Sequence, residues 1–212
     1  MHKLTLILIA LIIVSCPVNV KAQVDFPDID TFLKATLRNE DQLNVQAKGD
    51  LNGDGLEDWV GVIHGRKPES RPTYQLYVLL RLPQGSYRLA EKSKEEEISG
   101  MGCCWLEDLT ISNASIFVQN NAKTDVTMEA TTHQFKLYKG EWRMIGVKIY
   151  YDDHGPGEGF TKDTDINLLT GTVIEKKRKG SRKPIIKRHK KKFATCLPKD
   201  YDFFNGFRTG MF

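Results

Sequence analysis

Residues 49–63 read Gly-Asp-Leu-Asn-Gly-Asp-Gly-Leu-Glu-Asp-Trp-Val-Gly-Val-Ile, and this stretch decides the fold class. Its first part contains two pairs, Asn52-Gly53 and Asp54-Gly55, that favour tight turns because glycine tolerates positive φ angles. Its second part, from Trp59 onward, is apolar and rich in β-branched residues, which is typical of a buried β-strand. The stretch therefore predicts a turn that leads into a β-strand rather than into a helix.

The polar part of this stretch also has the spacing of a calcium-binding loop. Side chains with oxygen ligands occupy loop positions 1, 3, 5 and 9, which are Asp50, Asn52, Asp54 and Asp58. A hard cation takes about six to eight oxygen ligands, and Gly55 supplies the sharp turn that lets them converge. The helix-loop-helix calcium motif also needs a glutamate at position 12, where this chain has Gly61. Two interpretations stay open: a loop that binds calcium or a similar cation, and a metal-free hairpin turn.

Residues 49–60 resemble the FG-GAP/VCBS-type repeat of secreted proteins, whose core reads roughly Gly-Asp-x-Asn-Gly-Asp-Gly-x-x-Asp before an apolar strand. In that family the acidic loop binds calcium and the following strand packs into a β-sheet. The resemblance implies calcium as the cofactor, with Asp50, Asn52, Asp54 and Asp58 as its ligands. Propellers of the family repeat the motif several times, whereas this chain has one full copy. It therefore resembles small secreted bacterial envelope proteins that carry a single loop of this type.

The beginning of the chain predicts export. A short basic start is followed by an apolar run at 4–14 and by a small-residue cleavage pattern before Gln23. The run is too short to span a bilayer, so we interpret residues 1–22 as a signal peptide and the mature protein as secreted or periplasmic. The stretch 13–16 also resembles the lipobox of bacterial lipoproteins, which would make Cys16 a lipid anchor. No later apolar segment approaches the length of a transmembrane helix.

Signals for β-strands dominate the rest of the chain, and one short helix precedes them. Asp28 is suited to cap this helix, and Asn39 is its expected stop. Apolar and alternating segments then follow one another, separated by short turns, at 73–81, 87–89, 108–111, 115–119, 124–138 and 142–151. The predicted fold is mainly β: an antiparallel, meander or sandwich-like single domain at 23–175 with one short N-terminal helix.

Charge is divided unevenly between two parts of the chain. Residues 176–212 contain 13 Lys/Arg and two Asp, a net charge of +11, whereas residues 23–175 contain 16 Lys/Arg and 25 Asp/Glu, a net charge of −9. The basic part is predicted to be an edge hairpin plus a tail, and its charge indicates either a solvated face or a surface for an anionic partner. We expect that partner, an envelope component or an acidic protein, to contact Lys176, Lys177, Arg178, Lys190, Lys191 and Lys192. Nucleic acid is not expected, because a secreted chain seldom meets it and the run lacks interleaved aromatic residues.

Three cysteines, Cys103, Cys104 and Cys196, follow the signal region. In an oxidising compartment the simplest arrangement is a disulfide from Cys196 to Cys103 or Cys104, which leaves one thiol over. A bridge between the two adjacent cysteines is an alternative. A catalytic cysteine is another, and it would need a histidine nearby to lower the pKa of its thiol.

Catalytic motifs are mostly absent from the sequence, which has no Gly-x-Ser-x-Gly elbow, no His-Glu-x-x-His helix and no phosphate-binding loop. One further polar concentration has two interpretations, a solvated loop and a second cation or ligand site formed by Asp152, Asp153, His154 and Glu158. We expect a secreted binding protein without catalytic activity. An immunity or inhibitor protein against a toxin and an envelope hydrolase that uses this polar concentration are the alternatives.

Overall fold

A computed structural model describes residues 24–65, 73–97 and 104–201. Two antiparallel β-sheets pack face to face as a sandwich, and a short helix covers the outer face of the first sheet. The predicted fold class, a mainly β single domain with one N-terminal helix, is confirmed. The predicted signal peptide at 1–22 lies outside the described residues.

The elements follow one another along the chain in two groups, one for each sheet. Sheet A consists of β1 (Asp25–Phe26), β2 (Gln42–Gly49), β3 (Asp58–Gly65), β4 (Thr73–Arg81), β5 (Tyr87–Lys92) and β6 (Glu96–Glu97), and helix α1 (Ile29–Thr36) lies between β1 and β2. Sheet B consists of β7 (Cys104–Ser112), β8 (Ser115–Lys123), β9 (Thr127–Tyr138), β10 (Glu141–Asp153), β11 (Phe160–Asn167), β12 (Thr172–Lys179) and β13 (Ile185–Lys190). Sheet A has the order β1-β5-β4-β3-β2 with β6 paired to β4, and sheet B is a meander in sequence order.

Strand β3 is buried on both faces because it lies between two apolar clusters. Val60 and Val62 face sheet B in the core of the sandwich. Trp59 and Ile63 point to the other face of sheet A, where they pack with Phe32 of helix α1. Alternate residues of an extended strand point to opposite faces, so a strand covered on both sides reads as a continuous apolar run.

Helix α1 begins where the sequence predicts a cap. The backbone N–H of Thr31 donates a hydrogen bond to Asp28 Oδ1 at 2.7 Å, which satisfies one of the amides left free at a helix N-terminus. The helix ends at Thr36, slightly before the expected stop at Asn39. Its Phe32 ring contacts the Trp59 ring edge-on, with the ring centroids 5.7 Å apart.

Residues 191–201, which follow β13, return to the core of the sandwich. The backbone N–H of Met144 on β10 donates to the carbonyl oxygen of Cys196 at 2.9 Å. Tyr201 is only 1% exposed, and its hydroxyl lies 2.7 Å from Nδ1 of His133. The boundary predicted between residues 175 and 176 falls inside β12, so residues 176–201 belong to the same domain as the sandwich. Within the described ranges, no helix is long and apolar enough to cross a membrane.

Candidate functional site

The loop with calcium-type spacing, residues 50–57, connects β2 to β3 as the turn of an antiparallel hairpin. Gly49 and Asp58 face each other at the last paired position of the two strands. Gly53 and Gly55 have φ angles of +81° and +80°, a region in which residues with a side chain are strained. The predicted turn between two strands is therefore present, and both glycines are needed for its backbone.

Two acidic side chains of the loop accept hydrogen bonds from the loop itself. Asp50 accepts the backbone N–H of Gly53 at 2.7 Å through Oδ1 and that of Gly55 at 2.9 Å through Oδ2. These hydrogen bonds, first from Gly55 and then from Gly53, hold the pKa of the Asp50 carboxyl below its usual value. Asp54 accepts the N–H of Leu56 at 2.8 Å and the side-chain amide of Asn52 at 2.8 Å. Hydrogen bonds to its own carboxylates therefore hold the polar loop in this conformation.

Asp58, the fourth predicted ligand, differs from the other three because its side chain points into the protein. It is 0% exposed. Its Oδ2 atom accepts the backbone N–H of Leu51 at 2.8 Å, and its Oδ1 atom accepts that of Arg81 at 2.8 Å. Burial is the largest influence on this carboxyl and raises its pKa; together with the negative charges of Asp54 and Asp50, it outweighs the two hydrogen bonds, which lower the pKa. Asp58 thus connects the loop to the end of β4.

The four predicted ligands match the hard, oxygen-only donor set that Ca²⁺ prefers, but their arrangement is that of a hydrogen-bonded turn. In the part of the chain that the structure describes, no three His, Cys, Asp or Glu side chains are grouped so that they could hold a metal ion. Each carboxylate oxygen of Asp50 and Asp54 keeps a further lone pair beside the hydrogen bond that it accepts, so the hydrogen bonds of the turn leave acceptor capacity for a cation. The hairpin turn is present, and calcium binding at these residues stays a prediction.

The structure divides the second predicted polar site among separate contacts. Asp152 and Asp153 are adjacent on β10 and therefore point to opposite faces of sheet B. Asp152 accepts a hydrogen bond from Tyr150 Oη at 3.1 Å and lies 3.4 Å from His154 Nε2. Asp153 accepts the backbone N–H of Gly155 at 2.8 Å.

Glu158, the fourth residue of that prediction, contacts the basic part of the chain instead. Its Oε2 atom lies 3.2 Å from Arg182 Nη2 and 3.5 Å from Lys179 Nζ. The backbone N–H of Gly180 also donates to the carbonyl oxygen of Gly159 at 3.2 Å. Of the four predicted residues, the structure brings Asp152 and His154 into contact, whereas Glu158 contacts the turn that follows β12.

Cys196 has a free thiol that is buried in the sandwich core. Its carbonyl oxygen accepts a hydrogen bond from Met144 on β10. Pairing through β9 and β8 aligns Met144 with Ile111 on β7, and Ile111 is seven residues beyond Cys104 on that strand. At about 3.3 Å per residue, Cys104 lies roughly 20 Å from Ile111 and the residues aligned with it, whereas disulfide-bonded Cα atoms are within about 7 Å of each other. The structure therefore does not support a Cys196–Cys104 bridge. Cys103, the other predicted partner, lies outside the described residues.

Strands β12 and β13, with residues 180–184 between them, form an antiparallel hairpin at the edge of sheet B, called here the basic hairpin. All six residues of β13 are exposed. Lys190 lies opposite Thr172 at the open end of the hairpin, near Lys191 and Lys192, whereas Lys176, Lys177 and Arg178 lie toward its closed end. The predicted contact residues therefore form two groups, separated by roughly 13 Å of strand.

The closed end of the basic hairpin also carries two exposed apolar side chains, which a count of charged residues does not reveal. Ile185 and Ile186 lie there, directly opposite Lys177 and Lys176. Each isoleucine is 65% exposed. The Ile-Ile pair within a basic run was visible in the sequence, but its exposure depends on β13 being the last strand of the sheet. Comparisons of the chain with protein-family models, with curated proteins and with solved structures find no match.

Proposed function

We propose that this protein is a secreted or periplasmic, non-catalytic binding protein that attaches to an anionic envelope component or acidic protein through the basic hairpin. The observation that carries the proposal is a surplus of exposed positive charge: the basic side chains at 176–192 outnumber the acidic side chains next to them, of which Glu175 lies opposite Lys187. Among the described residues, the ion pairs formed by basic side chains at 176–192 are those of Lys179 and Arg182, and both are made with Glu158.

The position of these charges supports binding rather than folding. Lys187, Arg188 and Lys190 are exposed on β13, whose outer side pairs with no other strand in the described part of the chain. Several exposed positive charges on one hairpin together attract polyanions over a distance of about one Debye length, which is roughly 10 Å at 0.1 M salt. Ion pairs between exposed side chains contribute about 0–1 kcal/mol each, so little folding energy is expected from this surface.

The proposal includes an exported chain from which residues 1–22 are removed, or alternatively one anchored through a lipid on Cys16. It also includes a stabilising role for calcium at the loop of residues 49–60. What supports these two parts is the sequence alone: the apolar start of the chain and the oxygen ligands at calcium-loop spacing. Neither is needed for the basic hairpin to bind an anion.

A charge-matched pair of variants tests the proposal. In the first, Lys187, Arg188 and Lys190 are changed to Gln; in the second, three exposed lysines elsewhere, Lys92, Lys123 and Lys148, are changed to Gln. The probe is dextran sulfate, and dissociation constants are measured by titration calorimetry at low and high salt.

We expect the hairpin variant to lose on the order of tenfold or more in affinity for dextran sulfate, since each basic residue near an anionic surface contributes about 1 kcal/mol. The control variant should bind much as the wild type does, and both should retain the melting temperature of the wild type. Affinity of the wild type should fall as salt rises. Equal losses in the two variants would show that net charge, and not the hairpin, governs binding, and would overturn the proposal.

A further inference from the structure

We infer that the anionic partner is a lipid bilayer surface, and that Ile185 and Ile186 enter it while the surrounding basic side chains bind lipid headgroups. This inference rests on the proposed function of the basic hairpin and names the class of its partner. The two isoleucines, each 65% exposed, are the most exposed large apolar side chains among the described residues. Exposed apolar side chains beside basic ones are the combination by which peripheral proteins bind anionic membranes.

The position of the two isoleucines suits insertion. They are adjacent on a strand, so their side chains project from opposite faces of the hairpin. Each has a lysine directly across the ribbon, Lys177 opposite Ile185 and Lys176 opposite Ile186. The closed end of the hairpin thus presents one apolar side chain on each face. The ammonium group of Lys177 lies 3.9 Å from the centroid of the Phe160 ring on β11, so the positive charge nearest the pair comes from the basic residues that flank it in sequence. Among the residues that the structure describes, no strand pairs with the outer side of β13, and neither isoleucine belongs to the sandwich core.

The basic residues form a rim around this apolar pair. Arg182 and Lys183 precede it in the turn, and Lys187 and Arg188 follow it on β13, and all four are exposed. A polysaccharide would be attracted by the same charges but offers no apolar layer for isoleucine side chains. An acidic protein would need an apolar pocket on each side of the hairpin, because the two side chains project from opposite faces. Two adjacent exposed isoleucines inside a positive rim therefore favour a lipid surface over those partners.

The closed end is also held in a defined orientation, which lowers the entropy lost on docking. Glu158 contacts Arg182 and Lys179, at 3.2 and 3.5 Å, and the N–H of Gly180 donates to Gly159 O at 3.2 Å. A Cβ added to Gly180 would lie 2.8 Å from Glu158 Oε1, so the turn and the β10–β11 loop are in close contact. The isoleucine pair is thereby fixed relative to sheet B.

The experiment compares two probes. One is a sedimentable vesicle of two parts phosphatidylcholine to one part phosphatidylglycerol, and the other is dextran sulfate in solution. The test variant changes Ile185 and Ile186 to Ser. The control variant changes Leu169, an exposed apolar residue in the β11–β12 turn, to Ser. The variant with Lys187, Arg188 and Lys190 changed to Gln serves as the charge reference. Circular dichroism checks that each variant is folded.

We expect the Ser-Ser variant to lose at least tenfold in vesicle affinity while its affinity for dextran sulfate stays within twofold of wild type. The Leu169→Ser variant should bind both probes as wild type does, and the Gln variant should lose affinity for both. As a readout of insertion, Ile186→Trp should add a fluorescence component that shifts to the blue with anionic vesicles but not with dextran sulfate.

Three outcomes would overturn the inference. If the Ser-Ser variant binds vesicles as well as wild type, the isoleucines do not enter the bilayer, and charge binding through the hairpin stands alone. If that variant loses affinity for both probes equally, the substitution has damaged the hairpin itself and the loss does not report lipid insertion. If the Gln variant retains both affinities, the proposed function fails together with the inference that rests on it.

Discussion

The backbone N–H of Arg81 donates a hydrogen bond to Oδ1 of the buried Asp58 carboxylate at 2.8 Å. The other oxygen of that carboxylate accepts the N–H of Leu51 at 2.8 Å. A single buried side chain therefore joins the beginning of the acidic loop to the last residue of β4. This contact explains why the acidic residue that follows the loop lies in the core and is not presented to solvent with Asp50 and Asp54.

Replacement of Asp58 by Asn should destabilise the protein by about 1–3 kcal/mol. An amide group offers one oxygen where the carboxylate offers two, so its NH₂ group would face one of the backbone N–H donors and leave that donor unsatisfied in the core. Urea unfolding measures the loss. Asp125→Asn, at an exposed position, is the control and should change the free energy of unfolding by less than about 0.5 kcal/mol. Equal effects of the two substitutions would contradict the importance of the buried contact.

The contribution of Asp58 to stability should decrease as pH rises through the acid range. Because burial raises the pKa of its carboxyl in the folded state above the usual value of 3.8, the folded protein binds this proton more tightly than the unfolded chain does. The stabilisation is complete below the unfolded pKa and is lost as pH rises through the folded pKa. The difference in unfolding free energy between wild type and Asp58→Asn should thus be more favourable to wild type at about pH 3 than at about pH 6.

Calcium, if the loop binds it, should raise the melting temperature of the wild type. For an affinity in the weak extracellular range of about 10⁻⁴–10⁻³ M, calcium at about 1–10 mM would add about 0.4–3 kcal/mol. A double change of Asp50 and Asp54 to Ala should abolish the response, in addition to lowering the starting stability through lost hydrogen bonds to Gly53 and Gly55. Scanning calorimetry with calcium and with chelator measures both effects. Identical melting curves for the wild type would leave the metal-free turn as the interpretation.

Substitution of Tyr201 should show that the C-terminal segment is part of the core. Tyr201→Ala is expected to cost about 3–5 kcal/mol, because a large buried ring is removed, and Tyr201→Phe about 1–3 kcal/mol, because the hydrogen bond to His133 is lost. By contrast, a triple change of Lys190, Lys191 and Lys192 to Gln should leave stability nearly unchanged. Urea midpoints compare the three variants. A Tyr201→Ala variant as stable as wild type would mean that the segment is a dispensable tail.

Cys196 should remain a thiol that reacts only after unfolding. Burial, and secondarily the negative charge of Asp200, raises the pKa of this thiol to about 11, so at neutral pH it is protonated as well as inaccessible. Alkylation of the native protein followed by peptide mapping should find the Cys196 peptide unmodified, and modified after denaturation. Recovery of that peptide in a disulfide with Cys103 or Cys104 under non-reducing conditions would restore the bridge predicted from the sequence.

The sequence by itself determined the features that depend on neighbouring residues. The helix cap at Asp28, the turn at 50–57 and the strand that follows it were all predicted, because hydrogen-bonding propensity, glycine φ angles and apolar periodicity act over a few residues. The same local logic predicted the antiparallel meander of sheet B. Strands separated by short turns have few ways to pair other than with the next strand along the chain.

Only the tertiary structure decided where the polar side chains point and which distant segments meet. Asp58 fits the ninth position of a calcium loop in sequence. In the folded protein, however, its side chain points inward, where it accepts a hydrogen bond from the backbone N–H of Arg81, 23 residues away on β4. Glu158 was grouped with its neighbours in sequence, but from the β10–β11 loop it accepts a hydrogen bond from Arg182 in the β12–β13 turn. No local sequence pattern predicts that Tyr201 is buried in the sandwich, because its contacts with His133 and Phe135 form only when the sheets have folded. The hydrogen-bonding partner of a polar side chain depends on which distant segment packs beside it, and the spacing of residues along the chain does not specify that segment.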